Sequence, residues 1–512
     1  MKVAIRVDAS TLIGSGHVMR CLALAHALRD RGAEVLFISR AHEGNLLERV
    51  QVQGFVARSL PAPPQDAPES YGLLKVSQTT DAAETLASLA DDPIDWLIVD
   101  HYGLGQQWED LLLPRVEQLG VLDDLADRPH TCQLLLDPTY PGSASRYADL
   151  VPQSATLLLG PRFALIDRHF AQARSWPGPG HEQEESLFVF FGGSDLPNLT
   201  GQTLAALDSP ALADLRTEVV IGSTNPHLDE LRTQIDQRPD SHLHGPREHL
   251  ADLMAASTIA VGAGGVSVWE RLCLGLPSVV VSLADNQVAS CRALAEAGLL
   301  TYAGHLGEFT AADLEHRIEQ LRSNASSLRQ AATRGMAEVD GLGAARVAEL
   351  LCPTPTIELE LRSVTLADVG TAFMWANDPE VRRQSIHTQV IDWHSHVEWF
   401  ASKLDDPKCF MFILEAKGLP VGQARFDVMA TGEGLLDYSV DPVFRGRGWA
   451  AILLQKAIED LGFRGINSVL ADVRDGNIAS FKALTGAGFV EEVPSQAPAG
   501  LRRLRRDGLK HG

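Results

Sequence analysis

The first 350 residues alternate short apolar runs with longer segments of helical periodicity, and this alternation constrains the fold more than any other feature. Repeated strand–helix units predict parallel sheets covered by helices on both faces. The pattern restarts near residue 187 with a second strand and glycine-rich turn, so we predict two doubly wound α/β domains, residues 1–160 and 161–350, with a cleft between them. The predicted strands are Val3–Val7, Glu34–Ser39, Trp96–Asp100, Leu134–Asp137, Leu187–Phe191, Glu218–Ile221, Thr258–Gly262 and Ser278–Leu283.

A proline-rich connector, Cys352–Thr356, precedes a different pattern. Between residues 357 and 512 the strand-like runs follow one another with fewer intervening helices, which predicts an α+β domain with a mostly antiparallel sheet. The basic segment Leu501–Arg506 is predicted to be a solvated tail. The strands are predicted at Ile357–Leu361, Phe410–Glu415, Gln423–Val428, Leu435–Val440 and Ser468–Val473, and the helices at Leu366–Ala376, His394–Lys403, Trp449–Leu461 and Ile478–Thr485.

Charge and composition exclude several classes of function. The 512 residues include 44 Lys and Arg against 66 Asp and Glu, a net charge of −22, and such a surface repels nucleic acid and anionic lipid. The six cysteines form neither a CxxC pair nor a zinc spacing. No apolar run reaches the roughly 20 residues that span a bilayer. We therefore expect a cytoplasmic protein with no metal site, no membrane segment and no nucleic-acid partner.

The turn after the first strand holds the main candidate for catalysis. Strand Val3–Val7 leads through Gly14 and Gly16 to His17, which starts a helix. The glycines allow a tight turn and the close approach of a ligand. The helix dipole disfavours a protonated imidazole at this position, and α/β folds bind ligands at the carboxyl ends of their strands. These points favour a functional His17, available as a neutral base, over a capping or surface histidine.

Two further glycine turns suit a nucleotide. Gly192–Ser194 follows a predicted strand, so its backbone N–H groups can bind a diphosphate. Glu270 lies in the first helical turn after Gly264–Gly265, where a carboxylate can accept hydrogen bonds from both hydroxyls of a ribose. A glutamate that only stabilises the start of its helix is an equally supported alternative.

Several separate motifs in residues 1–350 together resemble the UDP-sugar hydrolases of pseudaminic acid biosynthesis, which are related to a GT-B glycosyltransferase. The chain departs from that family at Asp167 and Arg168. The motifs are R-x-D-A-S-x-x-I-G-x-G-H-x-x-R-C-L-x-L-A from Arg6 to Ala25, Val99–Gly103, Asp123–Ala126, Phe191–Asp195 with Asn198, Gly264–Gly265 with Glu270, and Asp285–Gln287.

This resemblance implies a GT-B-like pair of Rossmann-type domains and an inverting hydrolysis without metal. It assigns to His17 the activation of a water that attacks the anomeric carbon of the sugar. Tyr102 is implied as a sugar contact, although a half-buried structural aromatic is an alternative. The residues implied to bind the UDP-sugar are Gly14, Gly16, Tyr102, Gly193, Ser194, Asp195, Asn198, Gly264, Gly265, Glu270, Asn286 and Gln287.

A second glycine-rich turn, Arg445–Ala450, lies between a predicted strand and an amphipathic helix. Its small residues let successive N–H groups and the helix start surround a diphosphate. With Asn477–Ser480 and Gly486–Phe489 it resembles the acetyl-CoA-binding region of GNAT N-acetyltransferases, over about residues 357–495. The resemblance implies acetyl-CoA as acetyl donor, bound by Val440, Arg445, Gly446, Arg447, Gly448, Trp449, Ala450 and Asn477.

The proton donor of the acetyl transfer is less clear from the sequence. Many GNAT relatives carry a tyrosine seven residues after this asparagine, where this chain has Leu484. Tyr438 is one candidate donor, and a packed strand tyrosine is an equally supported interpretation. Asp437 and Asp472 are both candidates for relaying a proton from the substrate amine.

Taken together, the two resemblances predict a bifunctional enzyme of pseudaminic acid synthesis. One part would acetylate the 4-amino group of a UDP-4-amino-4,6-dideoxy-L-altrose derivative, and the other would then hydrolyse the UDP-2,4-diacetamido sugar. Two alternatives remain: a GT-B glycosyltransferase that uses a UDP-amino sugar, and a non-catalytic sugar-nucleotide binding module fused to an acetyltransferase. Each side of the connector is predicted to fold and work alone.

Overall fold

The computed structural model describes residues 1–174, 184–355, 358–492, 497 and 500–508. It divides into two compact units, Met1–Pro353 and Thr354–Gly512. Thr356 of the predicted connector and Ile357, the predicted start of the next domain, lie outside the described residues. The two units are taken in turn below.

The first unit contains two parallel sheets, as the strand–helix alternation predicts. The first sheet has the order β3-β2-β1-β4-β5-β6-β7. Its strands are Lys2–Val7 (β1), Glu34–Arg40 (β2), Val56–Leu60 (β3), Trp96–Asp100 (β4), Gln118–Leu122 (β5), Leu134–Asp137 (β6) and Thr156–Leu159 (β7). The helices of this half are Gly16–Asp30 (α1), Leu47–Val52 (α2), Gln78–Leu89 (α3), Gln106–Leu112 (α4) and Arg168–Ala173 (α5).

The second sheet has the order β10-β9-β8-β11-β12-β13, again all parallel. Its strands are Ser186–Phe190 (β8), Arg216–Val220 (β9), Ser241–His244 (β10), Ile259–Ala263 (β11), Ser278–Ser282 (β12) and Thr301–His305 (β13). The helices are Leu199–Ala206 (α6), Leu228–Asp236 (α7), Ala251–Ala255 (α8), Ser267–Leu274 (α9), Asp285–Glu296 (α10), Ala311–Ser323 (α11), Ala325–Glu338 (α12) and Gly343–Leu351 (α13).

The central strands of both sheets are buried on both faces, which explains why their sequences are continuous apolar runs rather than alternating ones. All five residues of β11 and of β12 are buried, and in β1 only Lys2 keeps partial exposure. Separate clusters of buried side chains lie on the two faces of the second sheet. This layered packing fixes the carboxyl ends of the strands, where the predicted site residues lie.

The last helix of the first unit, α13, packs against α1. Arg31, just after α1, donates a hydrogen bond of 2.6 Å to the buried Glu349 carboxylate of α13. The buried Arg346 guanidinium is held by Asp340 and by the carbonyl oxygen of Arg162. Because these charged groups are buried as pairs, removing α13 would leave unpaired charge inside the unit.

The second unit is an α+β domain with the sheet order β14-β15-β16-β17-β18-β20-β19. Every neighbouring pair is antiparallel except β17 and β18, which are parallel. The strands are Leu359–Ser363 (β14), Cys409–Ala416 (β15), Leu419–Val428 (β16), Gly434–Val440 (β17), Ser468–Arg474 (β18), Val490–Glu491 (β19) and Leu501–Asp507 (β20). The helices are Val369–Ala376 (α14), Pro379–Gln384 (α15), Trp393–Asp405 (α16), Trp449–Phe463 (α17) and Ile478–Gly486 (α18).

The predicted solvated tail is wrong, because Leu501–Arg506 lies within strand β20, which pairs with β18 over seven residues. Its arginines are matched by carboxylates from neighbouring strands. Arg502 donates to Glu491 and Arg503 donates to Asp472, each through two bonds of 2.6–2.7 Å. Among the described residues, no helix has the length and apolar character needed to cross a membrane.

Candidate functional site

The predicted site residues of the first unit lie at the two points where the strand order reverses. In the first sheet this point falls between β1 and β4, and in the second between β8 and β11. Strands on either side of such a point send their connections to opposite faces, which leaves a crevice at the carboxyl edge of the sheet. His17 follows β1, while Gly192–Ser194 follows β8 and Gly264–Gly265 follows β11.

His17 is paired with a buried carboxylate at the end of β4. It is the second residue of α1, and its Nδ1 lies 2.6 Å from Asp100 Oδ1. Burial alone would raise the pKa of Asp100, but the Arg20 guanidinium and His17 together hold that pKa well below its usual range. An ionised Asp100 accepts the Nδ1 proton of His17, so the neutral tautomer keeps its lone pair on Nε2. This arrangement suits a general base.

Arg20 fixes the orientation of this pair. Its guanidinium donates two bonds of 2.6 Å to the two oxygens of Asp100, and a third, 3.1 Å long, to Asp124. All three groups are almost fully enclosed: Arg20 is 7 % exposed and Asp100 is 0 % exposed, with Asp124 partly buried beside them. The bidentate geometry leaves the Asp100 carboxylate little freedom to rotate away from His17.

Tyr102 connects the two halves of the unit at this point. Its ring lies edge-on to the His17 ring, with centroids 4.6 Å apart. Its hydroxyl donates to Asp124 Oδ2 at 3.2 Å and accepts a hydrogen bond of 3.1 Å from the Asn286 amide in the second half. Tyr102 and Asn286, both predicted to bind the sugar nucleotide, are therefore brought together with His17.

The glycine turns of the two halves face each other. A Cβ on Gly16 would lie 3.5 Å from Val266 Cγ2, and one on Gly193 would lie 3.9 Å from Ser15 Oγ. Gly14 and Gly192 have φ angles of +79° and +94°, which side chains disfavour. The three turns predicted to bind the UDP-sugar thus enclose one crevice that also contains His17.

Asp195 and Asn198 have structural partners at the start of α6. The buried Asp195 carboxylate accepts hydrogen bonds of 2.9 Å from the backbone N–H groups of Leu199 and Thr200. Asn198 caps the helix by accepting from Gly201 N–H. These contacts hold the loop that contains Gly193 and Ser194, and they occupy the Asp195 carboxylate, so any ligand contact by this residue would fall to its backbone. A role for either side chain in UDP-sugar binding stays a prediction.

Glu270 faces a groove bounded by the other half of the unit. Met19 and His26 of α1 line this groove, together with Leu165 and Val266. Burial raises the pKa of the Glu270 carboxyl to about 7. The groove has a free volume of about 30 Å³, the space of a single water molecule. A ribose bound to Glu270 would therefore require the groove to widen.

Gln287 lies beside the turn at Gly264–Gly265. Its Oε1 accepts from Leu283 N–H at 2.8 Å, and a Cβ on Gly264 would lie only 2.6 Å from Cys291 Sγ. Side chains larger than hydrogen are therefore excluded at Gly264 by packing. The structure places the predicted residue Gln287 at the turn without assigning it a ligand.

The departure from the family at Asp167 and Arg168 has a local explanation. Asp167 caps α5 by accepting from His169 N–H, and Arg168 forms an exposed ion pair with Asp30. Asp167, His169 and His249 also bring three potential metal ligands within 4.8 Å of one another. The Asp167 carboxylate already serves as the helix cap, and we assign no metal chemistry to this group.

The glycine-rich turn of the second unit leaves a helix start open. Gly448 is the N-cap of α17 and offers no side chain to its N–H groups. Gly446 and Gly448 have φ angles of +82° and +77°, with open space where a Cβ would stand. Uncapped N–H groups and the helix dipole make a suitable site for a diphosphate. The Trp449 side chain is buried, so its contribution would come from its backbone.

The two arginines of this turn have protein partners. Arg445 donates a 2.6 Å hydrogen bond to Asp378 and a longer one to the carbonyl oxygen of Val440. The Arg447 guanidinium lies over the rings of Phe444 and Trp449, 5.3 and 5.2 Å from their centroids. Arg445 thus braces the loop, and its charge is partly neutralised in this structure.

Asn477, the other predicted acetyl-CoA contact, caps α18 by accepting from Ser480 N–H at 3.1 Å. Leu484 is completely buried. Of the two proton-relay candidates, Asp472 is locked by the Arg503 fork, whereas the Asp437 side chain is 64 % exposed and 3.5 Å from Arg425. The structure therefore favours Asp437 over Asp472 as the group that water and an amine can reach.

Sequence reasoning assigned no role to Asp100, Arg20 or Asp124 in the first unit. All three lie inside quoted motifs, but none has a spacing that identifies it as a partner of His17. A usable signal existed for Asp100. It is the only carboxylate at the end of β4 itself, and β4 is paired in parallel with β1, with Asp100 opposite Val7.

The comparisons with known proteins divide along the same line. Residues 358–490 match the family model of the acetyltransferase (GNAT) domain. The chain is 27% identical over 300 residues to the UDP-2,4-diacetamido-2,4,6-trideoxy-beta-L-altropyranose hydrolase of Campylobacter jejuni, covering 58% of this chain and 97% of the relative. It is 25% identical over 370 residues to the spore coat polysaccharide biosynthesis protein SpsG of Bacillus subtilis, covering 69% and 98%.

A third relative, an uncharacterized protein of Methanocaldococcus jannaschii, is 22% identical over 521 residues and aligns with 96% of both chains. Among solved structures, the spermidine N-acetyltransferase of Vibrio cholerae in complex with CoA and spermine is 18% identical. It covers 30% of this chain and 98% of its own, with a TM-score of 0.28.

These findings confirm the resemblances seen in the sequence. An amino-terminal part homologous to the hydrolase and to SpsG is joined to a GNAT domain. The fold class is confirmed as well, since parallel α/β sheets precede the GNAT domain. Homology on both sides supports enzymatic activity.

Proposed function

We propose that this chain is a bifunctional sugar-nucleotide enzyme that consumes acetyl-CoA. Its carboxyl-terminal unit acetylates the 4-amino group of a UDP-4-amino-4,6-dideoxy-L-altrose derivative, and its amino-terminal unit hydrolyses the resulting UDP-2,4-diacetamido sugar. The observation that carries the hydrolytic half is the 2.6 Å contact of His17 Nδ1 with Asp100, in a crevice enclosed by three glycine turns. The similarity to the Campylobacter jejuni hydrolase supports the same reaction.

In the proposed hydrolysis, His17 Nε2 accepts a proton from water as the water oxygen bonds to the anomeric carbon. Asp100, kept ionised by Arg20, stabilises the imidazolium that forms. The bond between the anomeric carbon and the diphosphate oxygen breaks, and UDP carries away the negative charge. Attack from the face opposite the leaving group inverts the configuration.

The second half of the first unit would hold the departing UDP. The backbone N–H groups at Gly193 and Ser194 follow β8 and can bind the diphosphate oxygens. Glu270 would accept hydrogen bonds from the ribose hydroxyls, and the Tyr102–Asn286 pair would contact the sugar. Backbone amides stabilise an anionic leaving group without a metal ion.

In the second unit, the open start of α17 would bind the diphosphate of acetyl-CoA. The amine nitrogen of the sugar attacks the thioester carbonyl, the carbon–sulfur bond breaks, and CoA leaves as the thiol. Acetylation first and hydrolysis second is a coherent order, because the product of the GNAT domain is then the substrate of the hydrolase.

The test is to incubate the full chain with the UDP-4-amino sugar and acetyl-CoA, and to measure CoA thiol and UDP separately. We expect both products, with UDP appearing after CoA and without any added acceptor. CoA without UDP would contradict the hydrolase and favour a binding module, and UDP only in the presence of an acceptor would favour a glycosyltransferase. UDP without CoA, given the pre-acetylated sugar alone, is the matched control for the hydrolytic half.

A further inference from the structure

Strands β17 and β18 pair over only part of their length. The parallel ladder joins Gly434–Leu436 to Val469–Ala471, although β17 continues to Val440. Beyond Leu436 the β18 side of β17 therefore opens into a notch, while the other edge of β17 stays paired with β16 as far as Val440. An extended ligand with amide groups can add to such an exposed strand edge. The notch leads toward the diphosphate turn at Gly446–Gly448.

Tyr438 lies two residues beyond the last paired position of β17, within this notch. Its hydroxyl is 2.8 Å from Ser480 Oγ, in the first turn of α18. Tyr438 is also the only tyrosine between residues 354 and 512. Two hydroxyl groups, one from each wall of the notch, are thus in direct hydrogen-bond contact.

The acetyl transfer requires a proton donor at about this place. When the carbon–sulfur bond of the thioester breaks, the sulfur leaves as a thiolate and must gain one proton to become CoA thiol. The attacking amine loses one proton when the amide bond forms, so the overall reaction balances. Leu484 has no proton to give, and Asp437 is exposed and acidic, which suits it to accept the amine proton rather than to donate one.

We propose that Tyr438 is the catalytic acid of the acetyl transfer, donating its hydroxyl proton to the sulfur of CoA while Ser480 holds and reprotonates the phenolic oxygen. This inference rests on the proposed function. Burial raises the pKa of Tyr438 to about 12, so the hydroxyl is protonated at neutral pH. A neutral phenol next to a newly formed thiolate is a suitable donor in a partly enclosed site.

The hydrogen bond to Ser480 Oγ has two consequences for this role. It positions the phenolic oxygen at the start of α18, and it gives the tyrosinate a route to recover a proton from water through the serine hydroxyl. A purely structural Tyr438 would instead tie β17 to α18. The two roles differ in what the phenylalanine variant retains: a structural tyrosine supports CoA binding, whereas a catalytic one supports turnover.

The experiment compares wild type, Tyr438→Phe, Ser480→Ala and the control Ser439→Ala in the full chain. Ser439 is the neighbouring hydroxyl on β17 and points to the opposite face of the sheet. We measure CoA release with the UDP-amino sugar, the Kd for CoA by calorimetry, and unfolding by circular dichroism. Tyr438→Phe should lower kcat by about 10²-fold or more, with the Kd for CoA within about threefold of wild type, and Ser480→Ala should lower kcat less.

Several results would overturn the inference. Unchanged kcat in Tyr438→Phe would remove the residue from the chemistry, and a loss of CoA binding equal to the loss of kcat would assign it a structural role. If Tyr438→Phe does not fold, an unchanged kcat in a folded Ser480→Ala would still contradict the proposed pair. An inactive wild type that binds CoA would refute the proposed acetylation itself, which is a separate outcome.

Discussion

Asp100 lies 83 positions after His17 in the chain, yet its Oδ1 is 2.6 Å from His17 Nδ1. The two residues meet because β1 and β4 are adjacent parallel strands and both residues follow or end these strands at the same edge of the sheet. The contact sets which imidazole nitrogen can accept a proton. It therefore links the sheet topology directly to the proposed chemistry.

Replacing either member of this pair should stop hydrolysis while leaving acetylation intact. We expect His17→Ala and Asp100→Asn each to lower the rate of UDP release by about 10²–10⁴-fold. The amide introduced by Asp100→Asn lacks the charge that stabilises the imidazolium. His316→Ala, an exposed histidine of α11, is the matched control and should keep full activity. Hydrolysis at the wild-type rate in either variant would exclude the pair from the mechanism, as measured by chromatography of UDP.

Ligand binding at Glu270 should depend on pH. Because burial raises the pKa of this carboxyl to about 7, its ionised, hydrogen-bond-accepting form becomes dominant only above that pH. Uridine, which has no phosphate to titrate, should bind more tightly at pH 8 than at pH 6, by up to about tenfold for one charge-assisted contact. In Glu270→Gln this difference should vanish. A pH dependence identical in both proteins, measured by calorimetry, would assign it to another group.

The same raised pKa has a consequence for stability. The carboxyl of Glu270 is harder to ionise in the folded chain than in the unfolded chain, where its ordinary value is 4.5. Ionisation of this group therefore weakens folding as the pH rises from about 4.5 to about 7. Glu270→Gln should remove that contribution, so its unfolding temperature should fall less than that of wild type between these pH values.

A single methyl group at Gly222 should disturb the diphosphate turn. A Cβ at this position would lie 2.1 Å from the carbonyl oxygen of Gly193, which is too close for any real contact. Gly222→Ala must therefore displace the turn, and we expect UDP to bind about tenfold more weakly or worse. Gly245→Ala, with open space around its Cβ, should bind UDP as wild type does. Equal affinities in the two variants would argue against this turn as the diphosphate site.

The two units should work separately when cut at the right place. A fragment of residues 1–353 keeps α13, whose Glu349 pairs with Arg31, and should hydrolyse the diacetamido substrate without acetyl-CoA. A fragment ending at residue 342 loses this helix, and it should be destabilised because Arg31 and Asp340 lose their partners. Thermal unfolding and UDP release check both fragments. A folded but inactive 1–353 fragment that recovers activity only when mixed with residues 354–512 would show that the sites share residues.

The sequence predicted those parts of the fold that depend on local pattern. Glycine turns and apolar runs located the strand ends, so His17, Gly193 and Gly264 were found without knowledge of the sheet order. The partner of His17 was not found, because contact between residues 17 and 100 depends on which strands are neighbours. The arginine-rich segment Leu501–Arg506 was misassigned for a similar reason: its charges are balanced by Glu491 and Asp472, which lie on other strands.

The most direct test of the central claim is hydrolysis of the UDP-2,4-diacetamido sugar by the full chain in ¹⁸O-enriched water. If His17 directs water to the anomeric carbon, the bond between that carbon and oxygen breaks, and mass spectrometry of the released UDP should show no ¹⁸O. Proton NMR during the first turnovers should show the anomer of inverted configuration. UDP that carries one ¹⁸O atom would place the attack at phosphorus and contradict the proposed mechanism.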